Sequence, residues 1–293
     1  MPLLPPTDRD LNKEFEVIRS RKRNLGQPAY TCLSMQNDSH DAVEGCWAAP
    51  LGNCGGGISH EHLVSECLFK DQSVFVQGLD WCLNKPKQVR IEKLTGKILC
   101  KNHNTALCKL DAAAGLGFEA IRNAVKMNED RAKMLYINWA HQQFIIDGRN
   151  LERWFLKTLL NFSFNRKLII GPGNHSAGTV PEKLVRIAFG LDNFEEGAGL
   201  YTAFRPRETF ILEDRFRFTA KAQGPNLVVG GFIFRGFRFF LNLLPQRLEM
   251  IEGSNLFYRR ANFAWLIGNR ESHRIIIDWS ASKIHPYVRR HGA

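Results

Sequence analysis

Two short segments hold the side chains best suited to chemistry, Cys54-Gly-Gly-Gly-Ile-Ser-His60-Glu61-His62-Leu63-Val64 and Ile98-Leu99-Cys100-Lys101-Asn102-His103-Asn104. Taken with Cys46 they offer three thiols and an imidazole: Cys46, Cys54, Cys100 and His103. Zinc takes that donor set in a closed tetrahedral structural site, and Cys100-x-x-His103 is a usual ligand spacing. Seven residues separate Cys46 from Cys54, a wide gap, and Cys32 or His40 is an alternative to Cys46. The three glycines after Cys54 permit a tight turn that brings backbone N–H groups to a thiolate. Such a closed site does not catalyse; it pins a hairpin against a helix. Beside it stand Glu61, His62 and Asn104, a carboxylate, an imidazole and an amide oxygen. A neutral imidazole can take a proton from water, and oxygen ligands suit a hard divalent ion that stabilises charge on a scissile phosphate. These are the parts of a phosphodiester hydrolase. On a regular strand His60 and His62 share a face and Glu61 points away, which makes His60 a rival base or ligand.

In this arrangement the two segments resemble the HNH endonucleases of the ββα-metal fold, in particular the zinc-stapled branch that includes phage junction-resolving endonucleases. The family's acidic-His-apolar-apolar segment is similar to Glu61-His62-Leu63-Val64, and its Cys-x-x-Cys-Asn segment is similar to Cys100-Lys101-Asn102-His103-Asn104. The resemblance spans about residues 46–118. It implies that Glu61 and Asn104 hold a catalytic Mg²⁺ or Mn²⁺, that His62 is the general base, and that DNA, most readily double-stranded, is the substrate. Here His103 stands for a cysteine, Ser65 for a proline, and Cys-x7-Cys for Cys-x2-Cys. Nucleases of this kind serve in mobile-element and anti-phage systems, where a second region gates cutting.

The elements that must position these groups follow from pattern. All seven cysteines, Cys32, Cys46, Cys54, Cys67, Cys82, Cys100 and Cys108, precede residue 109. An odd count without an export signal favours metal ligation over disulfides, and Cys32, Cys67, Cys82 and Cys108 are expected as small core residues. Val89–Leu94 and Lys97–Cys100 around Thr95-Gly96 predict a hairpin, with a helix from Ala106. A second helix is expected over Asp130–Ile146. Leu151, Trp154, Phe155, Thr158, Leu159 and Phe162 form one stripe of a third, and Pro181 and Gly190 bracket a fourth.

From about Leu200 alternation of period two predicts strands at 209–212, 215–220, 227–234, 237–241 and 274–279, with Gly236 as a bulge. Sixteen of the 21 Phe lie between 155 and 263, marking an aromatic core. In Arg215-Phe216-Arg217-Phe218 the phenylalanines face one side and the arginines the other. Arg215 and Arg217, with Arg235, Arg238, Arg205 and Arg207, thus form a candidate phosphate-tracking face. His273, His285 and His291 are expected at the surface.

The expected fold class is α+β: a basic arm over 1–30, a zinc-stapled ββα-metal (HNH) unit over 31–125, a helical connector over 126–195 and a larger β-rich domain over 196–293. The arm carries Arg19-Ser20-Arg21-Lys22-Arg23, and Lys and Arg exceed Asp and Glu by 40 to 29, a charge of +11 that suits a polyanionic partner. No apolar run approaches the roughly 20 residues needed to cross a bilayer. The chain is therefore expected to be cytoplasmic, with DNA as partner, no membrane, and a regulatory protein or a second copy as further candidates. The alternative is a zinc-stabilised nucleic-acid or protein-binding module that hydrolyses nothing.

Overall fold

The computed structural model describes residues 43–68, 73–77, 80–82, 84–134, 140–204, 216–248, 250–251, 254–267 and 270–280. The basic arm, Cys32, His40, Arg205, Arg207, Arg215, His285, His291 and the strand expected at 209–212 lie outside these residues. Contacts divide the chain into residues 1–36 and a compact unit over 37–293, which is the one described.

That unit is mixed α+β, mostly β toward its C-terminus. A two-stranded antiparallel sheet pairs β1 (Ile58–His62) with β4 (Thr95–Cys100). The strand β4 runs straight into α1 (Lys101–Ala132), giving a ββα order. Between β1 and β4 the chain supplies β2 (Ser73–Val76) and β3 (Lys87–Arg90), which pair with each other and leave for another sheet. After α1 come β5 (Gln142–Asp147), α2 (Gly148–Asn165), β6 (Ile169–Ile170) and α3 (Glu182–Ala188).

The C-terminal strands are β7 (Gly199–Phe204), β8 (Phe216–Gln223), β9 (Asn226–Phe234), β10 (Phe237–Asn242), β11 (Met250–Ile251), β12 (Ser254–Tyr258), β13 (Asn262–Ile267) and β14 (Arg270–Asp278). Among the described residues the largest sheet has nine strands in the order β11-β12-β7-β10-β9-β8-β2-β3, with β6 beside β9. The third sheet is β13-β14-β5. Because β2 joins β8 in parallel, Phe75 against Arg217, strands from the cysteine-rich block and from the C-terminal half share one sheet.

The apolar core is organised around α2, which touches β4 of the first sheet, β9 and β10 of the second and β5 and β14 of the third. Every residue from Leu151 to Ser163 is buried, so the stripe seen in the sequence is one side of a helix covered all round. Phe118 of α1 packs edge-on with Phe216 and Phe234 of the sheet, and Phe155 of α2 packs tilted on Phe232, the aromatic core anticipated from the phenylalanine clustering. Among the described residues no helix is long and apolar enough to cross a membrane.

Several expectations need correction. The partner of β4 is β1 and not Val89–Leu94: β3 ends at Arg90 and a 3-10 turn covers Ile91–Lys93. Thr95-Gly96 is not a turn but the start of β4, with Gly96 opposite Glu61. A Cβ on Gly96 would lie 2.5 Å from Oδ1 of Asn165, so the glycine makes room for α2. The helix expected over Asp130–Ile146 is instead the end of α1 followed by β5, whose Ile146 is buried against α1 while Gln143 and Ile145 face out. Gly236 is not a bulge: Arg235 and Gly236, at φ of 50° and 89°, form the two-residue turn joining β9 to β10, where both central residues need positive φ.

Cys108 is exposed on α1, whereas Cys82 is buried. His273 is also fully buried: its ring stacks on Trp265 at 4.8 Å, and its nitrogens meet Ser272 Oγ and the Ala124 carbonyl, each at 2.9 Å. Burial pushes its pKa down to about 4, so the ring is neutral.

Candidate metal centre and the two faces of the hairpin

The hairpin, α1 and the loop before β1 bring Cys46, Cys54, Cys100 and His103 together, with ligand atoms within 4.8 Å of one another and all four side chains buried. The His103 Nδ1 lies 3.4 Å from Cys46 Sγ, 3.6 Å from Cys54 Sγ and 3.2 Å from Cys100 Sγ. A bulge sets the position of Cys46. Opposite Ser59 and His60, β4 carries an extra residue, Ile98, whose carbonyl accepts the Trp47 N–H at 3.0 Å. The wide Cys46–Cys54 gap is taken up by a 3-10 turn over Ala49–Leu51. Gly56 and Gly57 then adopt φ near 70°, and the Gly55 carbonyl accepts the Asn102 N–H at 3.3 Å.

Cys100 caps α1, accepting the His103 N–H. A hydrogen bond from the Cys46 thiol, then those from the His103 side chain, the His103 N–H and the Gly55 N–H, outweigh burial and push the Cys100 pKa down to about 3. The shared proton and burial push Cys46 up, and burial raises Cys54. Three cysteine sulfurs and an imidazole in one buried pocket are the donor chemistry of a structural zinc site, and the group could hold a metal ion. Phe189, at the end of α3, packs edge-on to the His103 ring at 5.5 Å and closes the group from that side.

Along β1 the side chains alternate. Ser59 and Glu61 face the helices; His60 and His62 face outward, opposite Lys97 and Thr95 of β4. His60 and Lys97 are exposed. The His62 side chain is 31% exposed, with Nε2 3.7 Å from Glu66 Oε2. Its backbone is fixed: Asn161 of α2 donates to the His62 carbonyl at 3.2 Å and accepts from Trp47 Nε1 at 3.0 Å.

Asn104, in the first turn of α1, donates to Ser59 Oγ at 3.1 Å, and Ser59 donates to the Leu99 carbonyl at 2.9 Å. Glu61, 7% exposed, meets Lys157 Nζ at 2.7 Å. The same ammonium donates to Asp111 Oδ2 at 2.7 Å and Oδ1 at 2.9 Å. Ser65 donates to Asp111 at 2.6 Å and accepts from Trp154 Nε1 at 2.9 Å. Burial works against a charged Lys157, but attraction to Asp111 and then Glu61 more than offsets it and raises its pKa.

Of the basic residues expected on the outer sheet face, Arg217 and Arg238 both oppose Ile233 of β9, so they flank it on one face across three strands. Arg235 sits instead in the β9–β10 turn, 8% exposed, its guanidinium 5.9 Å from the Phe234 ring.

Asp111, Lys157 and Asn161 were not anticipated. Asp111 follows Asn104 by two helical turns, which puts both on the face of α1 turned to β1. Lys157 and Asn161 are adjacent on one side of α2, whose buried residues also include Glu152 and Arg153, and buried polar groups must find partners. Ser65 stands where the family pattern has proline; it donates one hydrogen bond and accepts another that proline could not. No protein-family model matches the chain, and no curated protein or solved structure matches it.

Proposed function

We propose that the hairpin and α1 form a zinc-stapled nuclease unit of the HNH type that hydrolyses DNA phosphodiester bonds, with His62 as general base. The observation that carries this reading is the pairing of β1 with β4 and its run into α1 over a buried Cys3His group, with His62 on the open face. His62 is held through its backbone while its imidazole reaches solvent, as a base that takes a proton from water must be. Lys97, beside His60 on the same face, supplies positive charge where a phosphate would lie, and Lys101 and Lys93 are exposed nearby in sequence. Bound zinc would hold β4, the start of α1 and the Cys46–Cys54 loop in register. His60 is the rival base, since it shares the outer face.

The resemblance also calls for a catalytic Mg²⁺ or Mn²⁺ on Glu61 and Asn104. These side chains do not fit that ion as placed. The Glu61 carboxylate is already paired with a buried ammonium, and the Asn104 amide donates to Ser59.

The test is plasmid cleavage by zinc-loaded protein, with and without Mg²⁺ or Mn²⁺, comparing wild type with His62→Ala. The expected result is nicking or cleavage that falls about 10²- to 10⁴-fold in the variant at unchanged zinc content. Equal cleavage by both proteins would remove His62 from the mechanism. The buried Glu61–Lys157 pair favours a second reading, a zinc-stabilised nucleic-acid-binding module without hydrolysis. On that reading DNA is retained in a gel shift by wild type and His62→Ala alike, and neither cuts it.

A further inference from the structure

The acidic residue of the Glu61-His62 motif is held by a cation that the chain itself supplies. Three carboxylate oxygens surround one nitrogen: Glu61 Oε1 at 2.7 Å from Lys157 Nζ, Asp111 Oδ2 at 2.7 Å and Asp111 Oδ1 at 2.9 Å. The lysine side chain is 1% exposed and the Glu61 side chain 9%. Ser65 and Trp154 extend the network behind Asp111. A magnesium-sized ion needs oxygen ligands at roughly 2.0–2.1 Å in near-octahedral geometry and keeps several waters. A buried space already occupied by an ammonium admits neither ion nor water unless the lysine leaves. Leaving would strip a buried ammonium of both carboxylates, and breaking a buried ion pair from one side is strongly unfavourable.

The source of the cation matters as well. Lys157 belongs to α2, the helix that touches all three sheets, and not to the hairpin or α1. Glu61 lies on β1 and Asp111 on α1, so the ammonium ties strand, first helix and central helix at one point.

We propose that Lys157 is the resident cation of the Glu61–Asp111 pair, standing where a divalent ion would stand, so that the wild-type protein takes zinc at the Cys3His group and no divalent ion at Glu61. The proposal rests on the nuclease reading only in treating Glu61 as the acidic residue of the motif. Lys157 is thereby a positioning residue, fixing Glu61 and through it the strand that carries His62.

The experiment is a Mn²⁺ titration followed by electron paramagnetic resonance on zinc-loaded protein without DNA. Wild type and Glu61→Gln are expected to give superimposable binding curves. Lys157→Met is expected to bind one Mn²⁺ per chain more than wild type, and Lys157→Met combined with Asp111→Asn to lose it again. A Mn²⁺ ion bound by wild type and lost in Glu61→Gln overturns the proposal. So does a folded, zinc-loaded Lys157→Met that binds no more Mn²⁺ than wild type. Should Lys157→Met fail to fold, the comparison of wild type with Glu61→Gln decides alone. Plasmid cleavage is no arm of this test: a protein that cuts nothing yet gives these curves sinks the nuclease reading and keeps this one.

Discussion

The two faces of the β1–β4 hairpin are made from alternate residues of the same short strands, yet one is closed and the other open. On the inner face Glu61 meets Lys157 and Gly96 makes room for Asn165, both of α2, while Ser59 is bonded by Asn104 of α1. On the outer face His60 and Lys97 are exposed, and His62 has only Glu66 near its imidazole among the contacts seen, at 3.7 Å. The difference separates two tasks within the Glu61-His62 dipeptide. Glu61 spends its charge inside the protein, where low dielectric makes the pair costly to break; His62 keeps its ring available to solvent. A motif that reads as one catalytic unit in sequence is divided by strand alternation into an anchor and a reactive group.

The largest effect is expected where both faces depend on one feature. Cys100 ends β4, caps α1 and belongs to the Cys3His group, so its loss removes a candidate metal ligand and a helix cap together. Zinc binding to small folded modules carries an apparent free energy on the order of 10–16 kcal/mol, comparable to or larger than the stability of a typical domain. Cys100→Ser, or stripping the metal with a chelator, should abolish the cooperative unfolding transition followed by circular dichroism. An unchanged transition in metal-free protein would mean that the group plays no part in holding the hairpin to α1.

Next comes the inner face. Removing the ammonium with Lys157→Met leaves the buried Glu61 and the partly buried Asp111 carboxylates without their counter-charge and is expected to cost about 3–5 kcal/mol in urea unfolding. The neutral combination Glu61→Gln, Asp111→Asn and Lys157→Met should recover most of that, because a buried ion cluster replaced as a whole often loses little. A loss below about 1 kcal/mol in the single variant would show that the inner face is wetter and more open than its burial implies, and the contrast between the faces would shrink.

How much of this was legible in the sequence differs element by element. The Cys3His donor set was readable because ligand chemistry restricts the choice to a few residue types, and those residues are brought together. The stripe of α2 and the alternation at the start of β8 were readable from period, whereas β9 and β10 are buried along nearly their whole length. The pairing of β1 with β4 across more than thirty intervening residues was not. Local pattern offered Thr95-Gly96 as a nearer turn, and only the packing of Asn165 explains why a glycine stands in that strand. His273 was missed for a related reason, since a histidine inside the polar run Arg270-Glu271-Ser272-His273-Arg274 carries no mark of the Trp265 ring that covers it. Lys157 was hidden by its own helix: a lysine beside an apolar stripe reads as the solvated edge of an amphipathic helix, and its burial follows only once sheets cover every side.

The smallest stability effect is expected on the outer face, and it sharpens the comparison most. His62 is partly exposed, and the His62–Glu66 contact at 3.7 Å is a surface pair of the kind that contributes at most about 1 kcal/mol. His60 faces solvent beside Lys97. His62→Ala and His60→Ala should each leave the free energy of urea unfolding within about 0.5 kcal/mol of wild type, because substitutions at exposed positions away from caps and cores rarely do more. The backbone contacts that hold residue 62, from Asn161 to its carbonyl and from the Leu63 N–H to the Leu94 carbonyl, do not involve the imidazole. A near-silent stability result would therefore let any loss of cleavage in His62→Ala be assigned to chemistry. A loss above about 2 kcal/mol would place the ring among the groups that hold the hairpin together, and the outer face would then be a second packing surface.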